Sequence, residues 1–247
     1  MTQRTPLVAA NWKMNGSRAL VNDMLQSFTT VDLAGVDILI CPPATLLPFF
    51  SQASNLALGG QNLSEFEAGA YTGELSASLL QQAGASYVLV GHSERRTLFA
   101  EDDKLVLAKL QQAVAAGLTP VLCVGENLQQ RQQEKTTEVL AKQLAAVYAS
   151  HPELLAKSVI AYEPVWAIGT GEAATPEQAQ QAHAAIRQQL ARYDATAASE
   201  VRILYGGSVN ADNAGALFNE ADIDGGLVGG ASLKSAEFLE ICLRAKD

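Results

Sequence analysis

The sequence predicts an α/β protein folded as a closed (β/α)₈ barrel, and three observations carry that expectation. Short apolar, β-branched runs recur from one end of the chain to the other. Segments with helical spacing lie between them. No Pro/Gly/Ser-rich linker or charge block divides the 247 residues, a length at which eight-fold barrels form as one unit, so residues 1–247 are expected to be a single domain.

The strand candidates are Leu7 to Ala10, Val36 to Cys41, Leu56 to Gly59, Tyr87 to Val90, Pro120 to Val124, Val159 to Tyr162, Val201 to Tyr205 and Gly226 to Val228. Between them, Leu140, Leu144 and Val147, and likewise Ala182, Ile186 and Leu190, fall on one helical face. Ser17 and the run Thr175-Pro176-Glu177 mark helix starts, the latter as an N-cap followed by proline at the first helical position. Strand and helix alternate throughout, which implies a parallel sheet covered by helices. A doubly wound open sheet is the alternative, but eight strands left open would have two edges to protect, and closure removes both.

Composition narrows the function. A formal charge of −9 disfavours nucleic acid and anionic membrane surfaces as partners. An anionic ligand would need local positive groups. The three cysteines, Cys41, Cys123 and Cys242, match no metal motif and no disulfide framework, which suits a reducing compartment. With no signal-peptide pattern and no apolar stretch near eighteen residues, a cytoplasmic protein is expected.

In such a barrel the active site lies where the strands end, so the polar residues after each run are the candidates. They are Asn11-Trp12-Lys13, Gly91-His92-Ser93-Glu94 and Tyr162-Glu163-Pro164. Taken singly, Lys13 and Glu163 could be solvated surface charges and His92 a core histidine. Taken together they supply a cation, a base and a weak acid. Ser93-Glu94 can open a helix, and a helix start beside His92 disfavours the imidazolium, leaving a neutral ring able to donate to a carbonyl.

Tyr205-Gly206-Gly207-Ser208 and Gly229-Gly230-Ala231-Ser232 are glycine-rich turns after the last two strands, a position where backbone N–H groups can receive phosphate without net positive charge. The segment Pro164, Val165, Trp166, Ala167, Ile168, Gly169, Thr170 and Gly171 combines bulky apolar residues with glycines beside Glu163 and reads as a lid that excludes water. Gly169, Gly171 and Ala174 imitate a dinucleotide fingerprint, but they do not directly follow a strand, so no cofactor is expected. His92, His151 and His183 form no ligand motif, so no metal is expected either.

These segments, in order Asn11 to Asn15, Gly91 to Arg96, Ala161 to Gly171, Tyr205 to Val209 and Gly229 to Lys234, closely resemble the triosephosphate isomerase family over nearly the whole chain. The resemblance implies the TIM-barrel fold and interconversion of dihydroxyacetone phosphate and D-glyceraldehyde 3-phosphate, a step of glycolysis and gluconeogenesis. It assigns proton removal and return to Glu163, proton movement between the oxygens to His92, charge compensation to Lys13, substrate orientation to Asn11 and support to Ser93 and Glu94. A neutral histidine in this role is an effect for which the family is the standing example.

Phosphate and substrate contacts carry over to Ile168, Gly169, Ser208, Gly229 and Gly230, with Glu126 and Tyr205 steadying the lid. Gln61-Asn62 and Glu67 to Glu74 resemble an interdigitating loop whose Thr72 enters a partner subunit near Asn11 and Lys13, implying a homodimer. Glu172 stands where the family often has lysine, a departure that bears on lid kinetics. Two rivals remain: a retaining glycosidase using Glu94 and Glu163, which leaves the glycine turns unexplained, and a non-catalytic sugar-phosphate-binding barrel.

Overall fold

The structure is a computed structural model that describes residues 4–29, 31–50, 55–167 and 174–246. Eight parallel strands close in sequence order: β1 (Leu7–Asn11), β2 (Asp37–Cys41), β3 (Ala57–Gly60), β4 (Tyr87–Val90), β5 (Thr119–Val124), β6 (Val159–Tyr162), β7 (Ile203–Tyr205) and β8 (Gly225–Val228). The predicted (β/α)₈ barrel is therefore the fold. Each predicted run contains a strand, with ends displaced by one or two residues where a turn residue completes the ladder. Asn11, for example, pairs with Cys41 as the last residue of β1.

Both faces of these strands are buried, which is why they read as continuous apolar runs instead of alternating ones. Leu7, Ala9, Leu39, Cys41, Leu89, Val121, Cys123, Ala161, Leu204 and Leu227 fill the barrel interior. Their neighbours Val8, Ala10, Ile38, Ile40, Leu122 and Ile160 pack outward into the larger cluster that holds the helix residues. The predicted stripes are among these: Leu140, Leu144 and Val147 are buried on helix Thr136–Tyr148, and Ala182, Ile186 and Leu190 on helix Pro176–Leu190. Thr175 caps the latter in a reciprocal capping box with Gln178. Among the described residues, the connector between β2 and β3 shows no α-helix. Ala44–Phe50, between β2 and β3, is a 3₁₀ segment with Pro48 inside it, and proline removes the donor that a longer α-helix would need.

The seam between β8 and β1 needs a residue without a side chain. Gly225 has φ +120°, and a Cβ there would lie 2.1 Å from the Leu7 carbonyl oxygen. At the N-terminal end of the barrel, Asp224 accepts from Arg4 (2.6 Å) and Arg187 (2.7 Å), and one of its oxygens also receives the Ile203 N–H at 2.8 Å. Arg187 reaches Asp222 as well, at 2.7 Å. These charges fasten the end opposite the strand termini, leaving the C-terminal rim to chemistry. Among the described residues no helix is long and apolar enough to cross a membrane.

Candidate active site

At the C-terminal rim, Asn11, Lys13, His92 and Glu163 line one cavity of about 370 Å³ together with Gly206, Gly207, Ser208, Gly229 and Gly230. Residues from the ends of β1, β4, β6, β7 and β8 thus meet in one space.

Glu163 follows β6 and is 2% exposed. Its two oxygens are occupied: one accepts the Ser93 backbone N–H at 2.8 Å and the other faces His92 Nε2 at 2.9 Å. Burial works to raise its pKa, but the ring and the N–H outweigh it and hold the carboxyl below the ordinary carboxylate range. The carboxylate is therefore ionised and parked against β4's end. Its backbone position depends on Gly125, which follows β5. A Cβ there would lie 1.7 Å from the Glu163 carbonyl oxygen, so only glycine allows this approach. Gln143 holds that glycine in place, accepting its N–H at 2.8 Å and donating to its carbonyl at 3.2 Å.

His92 sits between β4 and helix Ser93–Leu98, which opens as the Ser93-Glu94 pair predicts. Its Nδ1 accepts the Glu94 backbone N–H at 3.2 Å. That contact places the ring proton on Nε2, the atom that faces the cavity and Glu163. Burial disfavours the imidazolium, but the carboxylate beside it raises the ring's pKa above its ordinary value while the two are paired. Glu94 adds to that upward pull, and Lys13 opposes it.

Lys13 donates to Glu94 at 2.6 Å, and its N–H is received by the Asn11 side chain at 3.0 Å. Its φ of +52° is a backbone conformation that costs a residue with a side chain about 1–3 kcal/mol. The Lys13 Cε lies 3.6 Å from where a Gly229 Cβ would be, so the ammonium stem runs beside the glycine turn. Gly230 opens the 3₁₀ segment Gly230–Leu233, and a Cβ on it would meet nothing within 4 Å. First-turn N–H groups and a bare backbone facing the cavity suit an oxyanion. Ser208 lines the same wall, its carbonyl accepting from Asn213 at 3.0 Å.

The predicted lid is described only at its root. Pro164 to Ala167 lie beside Glu163, with Val165–Ala167 forming a 3₁₀ turn. Ile168, Gly169, Thr170 and Gly171, and also Glu172, lie outside the described residues. At the root, buried Glu126 accepts from Trp166 Nε1 at 3.0 Å and from the Tyr162 hydroxyl at 3.1 Å. The Tyr205 hydroxyl accepts the Ala174 N–H at 3.3 Å on the far side. Thr72 is exposed on the loop after β3, away from this cavity, in a stretch where Phe66 and Tyr71 stack with centroids 4.1 Å apart. His151 and His183 do not join the site. His183 is buried between Tyr162 and Tyr205.

The sequence analysis did not single out Gly125 or the Ser93 N–H as a seat for the Glu163 carboxylate, and it named Gln61 only as part of the loop resemblance, not for its side chain, which donates to the Lys13 carbonyl at 2.8 Å. A glycine directly after β5 was the one available signal; the other two contacts depend on strand register.

Fold and site together define a class: a (β/α)₈ barrel with a carboxylate, an imidazole and an ammonium around a small cavity walled by glycine turns at the ends of β7 and β8. The family model described as triosephosphate isomerase matches residues 6–245. The triosephosphate isomerase of Alkalilimnicola ehrlichii is 51% identical over 98% of this chain and 99% of its own length. That of Idiomarina loihiensis is 52% identical over 97% and 98%. The chain belongs to the triosephosphate isomerase family.

Proposed function

We propose that this chain is a triosephosphate isomerase that interconverts dihydroxyacetone phosphate and D-glyceraldehyde 3-phosphate through an enediolate, with Glu163 as the base. The observation that carries the reading is the meeting of Glu163, His92 and Lys13 in one cavity whose opposite wall is backbone suited to phosphate.

The substrate's phosphate rests on the turns at Ser208, Gly229 and Gly230, with Gly169 completing the grip and Ile168 covering the ligand. Its carbonyl takes the Nε2–H of His92. Glu163 leaves Ser93 and removes a proton from the carbon next to the carbonyl, and Lys13 and the His92 N–H stabilise the charge that develops on oxygen. Asn11 orients the substrate through the same short segment that carries Lys13. Glu94 holds the ammonium in place. His92 shifts a proton between the two oxygens, and Glu163 returns its own to the neighbouring carbon. Pro164 to Gly171 close over the enediolate, which would otherwise eliminate phosphate in water. Support for the lid comes from its root, where Glu126 and Tyr205 take up hydrogen bonds on either side.

A homodimer is part of the reading. Met14, Leu98 and Phe99 are 96%, 73% and 63% exposed, and with Lys13 and Glu94 they line a groove of about 690 Å³ that a partner's Thr72 loop would fill. Residues 1–247 act as one domain, and three buried free thiols suit a reducing cytoplasm. Purified protein mixed with dihydroxyacetone phosphate and coupled to a glyceraldehyde-phosphate dehydrogenase should reduce its nicotinamide cofactor steadily. No turnover removes the enzyme reading.

A further inference from the structure

We propose that Gln61 is a positioning residue for Lys13, holding the lysine's backbone in its strained conformation; this rests on the reading of Lys13 as the cation that meets the substrate. Among the described residues other than glycine, Lys13, Ala100 and Glu134 have positive φ, at +52°, +54° and +58°. Ala100 and Glu134 each lie two residues beyond the end of a helix, Ser93–Leu98 and Leu128–Gln132, where a left-handed residue is an ordinary way to stop. Lys13 has no such local reason. It comes two residues after a strand, β1, and a lysine there would relax to negative φ unless both of its peptide groups were held.

Both are held. The Lys13 N–H is taken by Asn11 Oδ1 at 3.0 Å, a contact within the lysine's own segment. The Lys13 carbonyl is taken by Gln61 Nε2 at 2.8 Å, across 48 residues of chain. The same Nε2 donates to the Cys41 carbonyl at 2.9 Å, and that carbonyl also receives the Trp12 N–H at 3.1 Å. Gln61 directly follows β3, so its carboxamide is fixed to the barrel wall and ties the lysine's turn to the ends of β2 and β3. Only an amide donor between two carbonyl oxygens does this, since a carboxylate there would repel both. Released from Gln61, the lysine turn would flip, and its ammonium would leave Glu94 and the space beside Gly229.

The test is a double-mutant cycle read by binding of inorganic phosphate, measured by calorimetry at one salt concentration. Gln61→Met keeps the length and apolar stem but donates to neither carbonyl. It is expected to weaken phosphate binding about tenfold, and to lower kcat/KM at least as much. In a Lys13→Met background the same change is expected to weaken phosphate no further, because nothing is left for Gln61 to position. An equal loss in both backgrounds, or no loss while the melting temperature falls, overturns the proposal. Should Gln61→Met fail to fold, Gln61→Leu, which cannot donate, takes its place in the cycle, where a loss confined to the Lys13 background supports the proposal and an equal loss in both overturns it. An unaltered chain that binds phosphate but turns over no triose phosphate would end the proposed function while leaving this cycle able to decide on Gln61.

Discussion

Replacing Gly125 with alanine tests whether the register of β5 and β6 aims the Glu163 carboxylate, the proposed base. The added methyl would sit 1.7 Å from the Glu163 carbonyl oxygen and 2.7 Å from its carbonyl carbon, against an ordinary contact of 3.4–4 Å. Gly125 cannot simply withdraw, because Gln143 holds both of its peptide groups and the Glu163 N–H is itself bonded to the Val124 carbonyl at 2.7 Å. The two chains must part by more than about 1 Å, and a displacement of that size at a reacting group lowers rate by about a hundredfold. Overpacking also destabilises by roughly 1–3 kcal/mol. The two effects separate experimentally: a urea titration gives the stability, and the coupled assay, run where the variant is fully folded, gives kcat. Glu163 is chemically unchanged, so a fall in kcat would come from its placement alone. A variant that folds and keeps kcat within about twofold of the unaltered enzyme refutes the reasoning.

Three further outcomes are expected. Glu163→Asp draws the carboxylate back by one methylene and should lower kcat about a hundredfold or more in the coupled assay; unchanged kcat would remove Glu163 from the role of base. His92→Gln should lower kcat far more than it raises KM, by about a hundredfold, because its benefit grows as charge develops on oxygen; a change confined to KM would contradict the electrophile assignment. Burial, assisted by Arg187, lowers the pKa of His183 to about 4 despite the Asp222 carbonyl that its ring contacts. The unfolded chain therefore binds more protons than the folded one between about pH 6.5 and about pH 4, and stability should fall by roughly 3 kcal/mol as pH drops through that window. His183→Phe should flatten this slope in urea titrations, and identical slopes would show that the ring does not carry it.

The barrel was legible in the sequence because buried parallel strands leave a plain trace: short, doubly apolar runs such as Val159 to Tyr162, each followed by a polar residue at the rim. The helix starts at Ser17 and Thr175 were legible for the same reason, since capping is a local matter. Lys13, His92 and Glu163 could be nominated as strand-end residues, but their convergence could not be read from spacing; it follows from closure of β8 on β1. Contacts set by register were invisible. Nothing in Gln61 announces that its amide reaches Lys13 and Cys41, and Ser93 gave no sign that its backbone N–H would seat a carboxylate. Strand ends shifted by a residue or two, most at β7, which begins at Ile203 and not at Val201.

The seat that Ser93 and His92 give to the Glu163 carboxylate has a consequence for molecules other than the proposed substrate. A carboxylate alone is too weak a base to enolise a simple ketone or aldehyde, so a visitor must also offer its oxygen to the ring and the ammonium. Here the carboxylate is already engaged, and leaving that engagement has to be offset by what the visitor brings. On the proposed function, selection would then fall before any bond to carbon is touched, in the exchange of one set of partners around the carboxylate for another.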